Sequence, residues 1–219
     1  MSALRRIAIV GAESTGKSWL ARTLTELLRE RGDKVHWVEE QLRHWCEREG
    51  RTPQAHEQRA IAQAQADAVL AFQTGTVIAD TTPLVTAVYS HQLFADEALY
   101  TMALAHQRLY DLTLVTGLDI AWEAQWLRDS AQARVPIDAK LRDALGRSGI
   151  GFRVIYGQGL ARLNNALLAM ELPPENAADW QRRESAQFAL NNGRTPWLCD
   201  KCSDPDCEHR LFTGLLGRR

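Results

Sequence analysis

This chain has no long hydrophobic run. No stretch comes near the roughly 20 consecutive apolar residues that a membrane-spanning helix needs. Two arginines stand near the N-terminus, but the apolar run after them, IAIV, stops at a glycine, too soon for a signal peptide or an anchor. An excess of one charge is missing as well. Lys and Arg number 26 against 27 Asp and Glu, for a net charge of −1, which removes the electrostatic case for general binding to nucleic acid or to a membrane surface. Cysteine is sparse: four residues, with Cys46 isolated and three crowded near the C-terminus, which is no secreted disulfide framework. There is no internal repeat and no low-complexity tract. The chain reads as a cytoplasmic protein without a nucleic-acid or membrane partner, and no pattern in it speaks to oligomeric state.

What is present is an alternation of short apolar strands and helical patterns. Strands are expected over residues 6–10, 35–38, 76–79, 112–116 and 152–156. Leu20, Leu24, Leu27 and Leu28 recur on one helical face behind the first strand. Further helices are expected over 51–73, 138–145, 160–171 and about 175–190. Strand–helix alternation of this kind predicts an α/β fold with a parallel five-stranded sheet and helices on both faces. Pro173 and Pro174 end the helical pattern before them. They divide the chain into a domain over 1–172 and a C-terminal extension over 173–219.

The strongest local signal is GAESTGKS, residues Gly11, Ala12, Glu13, Ser14, Thr15, Gly16, Lys17 and Ser18, which fits G-x-x-x-x-G-K-[ST] between a strand and an amphipathic helix. Glycines let the backbone curl so that successive N–H groups face phosphate oxygens, and the following helix turns its positive end to the same anion. Lys17 then supplies a point charge for the β and γ phosphates of a nucleoside triphosphate, and the Ser18 hydroxyl is a Mg²⁺ ligand. This Walker A pattern indicates nucleotide binding and leaves the reaction open.

In such sheets ligands bind beyond the carboxyl ends of the strands. The second strand ends in Glu39-Glu40 and the third in Asp80. One carboxylate there could hold Mg²⁺, which is the role expected of Asp80; the other could orient or deprotonate an acceptor hydroxyl, the role expected of Glu40. Each also has a plainer reading, Glu40 as a charge at a helix start and Asp80 as a helix N-cap. Beyond the fourth strand, Arg128, Arg134, Lys140 and Arg142 have the position and charge of a lid over the phosphates, or of a solvated helix face. Arg128 is the favoured lid cation because Trp122 and Trp126 precede it.

Taken together, these residues resemble the ribosylnicotinamide kinase domain of NadR-type proteins and the related P-loop, AAA-type ATPase and kinase-like family. GAESTGKS looks like that family's phosphate loop, and Glu40-Gln41-Leu42-Arg43 is similar to its E-x-x-R. Asp80-Thr81-Thr82 resembles its D-T segment, WEAQWLR over 122–128 its lid segment W-x-x-D-G-x-R, and YGQGLARLNNAL its final strand, loop and helix. The likeness covers roughly residues 5–170. The lid departs from the pattern, with Gln125 where the family has Asp and Trp126 where it has Gly. The resemblance implies ATP and Mg²⁺ as cofactors, Lys17, Asp80, Glu40 and Arg128 as catalytic groups, and Glu40 and Arg43 facing a nucleoside-like acceptor. In the family that acceptor is nicotinamide riboside, a step of NAD biosynthesis. The alternative reading is an NTP-binding or hydrolysing switch.

Outside the resemblance lies C-x₂-C-x₄-C-x-H: Cys199, Cys202, Cys207 and His209. Three thiolates and an imidazole make a four-ligand Zn²⁺ set with no open position, so the zinc would be structural. A thiol patch without metal is the other reading. In the switch alternative, this zinc tail docks a partner.

Overall fold

The computed structural model describes residues 3–121 and 131–190. Five strands form one sheet: β1 (Arg5–Val10), β2 (Val35–Val38), β3 (Thr76–Asp80), β4 (Leu112–Thr116) and β5 (Arg153–Ile155). Their order is β2-β3-β1-β4-β5, and every neighbouring pair is parallel. β1 is central because it is apolar on both faces. Ile7 and Ile9 point to one layer of helices, Ala8 and Val10 to the other, and all four are fully buried. The first layer holds α1 (Lys17–Glu30) and α7 (Gly159–Ala169), through Leu20, Leu24, Leu27, Leu163 and Leu167. The second holds α4 (Pro83–Phe94), α5 (Tyr100–Gln107) and α6 (Ala131–Arg147), through Leu84, Val88, Ala103 and Leu141.

Register carries the site. Asp80 pairs with Ile9 and Val115 with Val10, so the carboxyl ends of β3, β1 and β4 open on one edge, where the 11–18 loop leaves β1. On the β2 side, α2 (Gln41–Glu49) and α3 (Gln58–Leu70) rise above that edge. Gln65, buried in α3, accepts the Gln41 N–H at 2.8 Å and donates to the Thr81 carbonyl at 3.5 Å, which fixes α3 against the loops after β2 and β3.

Several boundaries differ from the sequence reading. The helix expected over 51–73 starts only at Gln58; Arg51 instead pairs with Glu57 across a 3₁₀ turn over Ala55–Glu57, after Gly50 has capped α2 at φ 66°. β3 includes Asp80 as its last residue, and β5 is shorter than 152–156. α4 was missed because eight consecutive residues, Pro83 to Ser90, are all buried, and a helix apolar all round has no periodic stripe. Past Pro173 the chain returns to α1: Trp180, in α8 (Ala177–Leu190), meets Trp19 edge-on at 6.1 Å, and Arg31 pairs with Glu175 at 2.9 Å. No helix among the described residues is long and apolar enough to cross a membrane. Cys199, Cys202, Cys207 and His209 lie outside the described residues, among which no three or more His, Cys, Asp or Glu gather to hold a metal ion.

Candidate active site

The loop after β1 turns under steric constraint. A Cβ on Gly11 would fall 2.2 Å from the Thr116 hydroxyl of β4, so only glycine lets the chain pass that strand. Gly16, the N-cap of α1, has φ 74°, and Ser14 has φ 51°. Two left-handed residues separated by one make the concave backbone in which N–H groups converge. Thr15, fully buried, donates to the Ala12 carbonyl at 2.7 Å, and its hydroxyl lies 2.6 Å from that of Thr116. Gly11→Ala should therefore cost about 1–3 kcal/mol by overpacking. Denaturant unfolding of the ligand-free protein measures it, and an unchanged midpoint would refute this account of the turn.

Around this loop the structure gathers five of the anticipated residues. Lys17 Nζ donates to the Ala12 carbonyl at 2.8 Å, folded back along its own loop. Arg43 donates to the Ser18 hydroxyl at 3.0 Å and stands 3.6 Å from the Glu40 carboxylate one helical turn earlier. Asp80 is 1% exposed. It is hydrogen-bonded to Ser18, while its Oδ1 is buried with no partner. Burial first, and then the Glu40 charge, push its carboxyl up to about 6, against the pull of Ser18, Lys17 and Arg43. The Ser14 hydroxyl is likewise buried without a partner. A glycine-shaped cradle at a helix N-terminus fits a polyphosphate. A partnerless carboxylate oxygen beside a serine hydroxyl fits the hard divalent cation that accompanies one.

The lid candidates separate. Residues 122–130, with Arg128, Trp122 and Trp126, lie outside the described residues. Arg134 is 7% exposed and donates to the Ile120 carbonyl at 3.1 Å from both terminal nitrogens. Arg142 pairs with Asp138 at 2.6 Å on its own helix.

Two residues at this edge escaped the sequence reading. Arg162 of α7 is 1% exposed and donates to the Asp119 carboxylate at 2.9 Å, the Gly157 carbonyl at 2.7 Å and the Thr15 carbonyl at 3.0 Å. Asp119 also accepts the Gly157 N–H at 2.6 Å. The signals were there: Asp119 follows β4 as Asp80 ends β3, and Arg162 interrupts an apolar stripe with Leu163, Ala166 and Leu167.

No curated protein matches the sequence. Solved structures do. The chain resembles the NadR protein in complex with NR at a TM-score of 0.61 and 20% identity, over 79% of this chain and 53% of that one. The NadR protein in complex with NAD and AMP-PNP gives 0.61 and 20%, over 78% and 51%. Thymidylate kinase from Ehrlichia chaffeensis gives 0.55 and 14%, over 77% and 96%. The chain spans about half the length of those NadR chains, and at these identities the shared property is the fold alone. The AAA domain family model matches residues 6–162, most of the chain, from β1 to the first turn of α7. The chain belongs to the AAA domain family.

Proposed function

We propose that this chain is an ATP-dependent small-molecule kinase that transfers the γ-phosphate to a hydroxyl of a nucleoside-like acceptor, with nicotinamide riboside the first acceptor to try. The observation that carries the reading is the pairing at the sheet edge. One carboxylate, Asp80, is buried against Ser18, and a second, Glu40, stands across Arg43 on the α2 side. The first suits the divalent cation that accompanies a polyphosphate; the second, held in place, suits the proton of an attacking hydroxyl. The NadR structures contain NR in one case and NAD with AMP-PNP in the other, which guides the choice of acceptor.

In this reading the backbone of residues 11–16 cradles the phosphates. Lys17 releases the Ala12 carbonyl to reach them, and Ser18 and Asp80 would hold Mg²⁺. Bound there, Mg²⁺ would offset charge on the β and γ phosphates. Glu40 takes the proton of the attacking hydroxyl, Arg43 holds Glu40 in place, and Arg128 would be the lid cation for the transferred group. The test is ADP release with and without candidate nucleosides. Stimulation by one nucleoside supports the kinase; turnover indifferent to every acceptor supports the switch. Glu40→Gln should lower kcat/KM for the acceptor by roughly 10²–10⁴ while the Kd for ATP holds. A variant that loses ATP affinity but keeps acceptor use would overturn the roles of the two carboxylates.

The same proposal divides the chain into a kinase domain over 1–172 and an extension over 173–219 that closes on a structural zinc held by Cys199, Cys202, Cys207 and His209. The sequence spacing supports it. The stretch from about Pro196 to Phe212 has too little apolar surface to order itself, so the metal would supply its folding energy. Elemental analysis of protein purified without added metal should find one zinc per chain, lost in Cys202→Ser with ATP binding intact. Native thiols that titrate freely, with no zinc, would dismiss it.

A further inference from the structure

Two buried guanidinium groups reach the phosphate loop from the side away from the carboxylates. Arg162 comes from α7 and Arg134 from the first turn of α6, and each ends on a loop carbonyl: Thr15 at 3.0 Å for Arg162, Ser14 at 3.4 Å for Arg134. In a planar trans peptide the C=O and the following N–H point in opposite directions. A carbonyl held from behind therefore turns the next N–H forward. The Ser14 carbonyl governs the Thr15 N–H, and the Thr15 carbonyl governs the Gly16 N–H. Both peptides flank left-handed residues, Ser14 at φ 51° and Gly16 at φ 74°. For Ser14 that conformation is disfavoured and needs an external hold.

We propose that Arg134 and Arg162 are positioning residues for the phosphate loop. They fix the Ser14 and Thr15 carbonyls so that the Thr15 and Gly16 N–H groups face a polyphosphate before it arrives. The inference rests on the phosphate-loop reading above and goes past it, to groups that act on the loop's backbone. Arginine is required because each guanidinium serves several acceptors at once. Arg162 joins Thr15, Gly157 and Asp119, and Arg134 joins Ser14 and Ile120. A lysine, with one compact head, cannot span three such acceptors. Asp119 is part of the device. It takes Arg162 on one oxygen and the Gly157 N–H on the other, so the loops after β4 and β5 are locked to the phosphate loop through one buried cation. The two cations also add positive charge behind the N–H groups without occupying the ligand's space.

The experiment uses the full chain, ADP titration calorimetry and the backbone amide signals of residues 14–18 during a titration with inorganic pyrophosphate. Arg162→Met, which keeps the stem, should weaken ADP by about tenfold or more and selectively blunt the response of the Gly16 amide. Arg134→Met should act first on the Thr15 amide. Arg162→Lys should not restore either property. ADP affinity within about twofold of wild type in both variants would overturn the proposal. So would equal loss of response across all five amides, the mark of a merely destabilised loop. If Arg162→Met does not fold, Arg134→Met, whose contact is the weaker, carries the same test by itself. A wild-type chain that binds no ADP refutes the phosphate-loop reading instead, and the two failures are told apart at that first titration.

Discussion

Lys17→Ala is expected to fold normally and to transfer no measurable phosphate. The folded state loses little, because the side chain is half-buried and its bond is to the Ala12 carbonyl of its own loop, which water can satisfy. The transition state loses much. Charge builds on the bridging and γ oxygens as the phosphoryl group departs, and the ammonium is the one mobile cation within the loop itself. Removing the cation that meets this charge costs roughly 3–4 kcal/mol or more, about 10²–10³ or more in rate. The unfolding midpoint should move by no more than a few degrees, and ATP should still bind, more weakly. Near wild-type turnover in a folded Lys17→Ala protein would mean that phosphate is handled elsewhere, and the proposed site would fall.

The phosphate loop was legible in the sequence because its chemistry is local. One strand, eight loop residues and one helix N-terminus are contiguous, and each glycine answers a backbone requirement at its own position. The sheet was legible because parallel strands buried on both faces, such as IAIV and VIAD, have few other uses. What hid from the sequence was whatever depends on distant elements meeting. α4 carries no periodic stripe, since Pro83 to Ser90 are covered on every side. Gln65 reads as one more polar residue in an Ala- and Gln-rich helix until the Gln41 N–H and the Thr81 carbonyl stand beside it. Arg162 lies 147 residues from the Thr15 carbonyl it holds, and only the β5 and α7 packing brings them together. Arg134 was anticipated among the lid cations for its position and charge. Packing turns it inward onto the Ile120 and Ser14 carbonyls, a partnership that no spacing rule encodes.

Asp80→Asn should divide stability from activity. The Asp80 carboxyl holds its proton up to about 6, against an ordinary 3.8, because burial and the Glu40 charge disfavour the anion. The folded chain thus binds that proton more tightly than the unfolded chain does. Its contribution to stability is fully present below about pH 4 and is lost as pH rises to about 6. At neutral pH the ligand-free protein carries an ionised buried carboxylate at a cost of up to about 3 kcal/mol. Asparagine keeps the shape, can still bond to Ser18, and has no charge to desolvate. Denaturant unfolding of ligand-free wild type and variant should therefore coincide near pH 4 and diverge toward pH 7, with the variant the more stable. Activity should go the other way. The anion that is a burden in the ligand-free state is what a divalent cation beside the phosphates requires, and its loss should cut turnover by roughly 10²–10³. Mg²⁺ with ADP should raise the melting temperature of wild type well above that of the ligand-free protein and raise that of the variant much less. A variant that is no more stable at pH 7, or one that turns over normally with Mg²⁺, would remove Asp80 from the metal site and leave it as a buried end to β3.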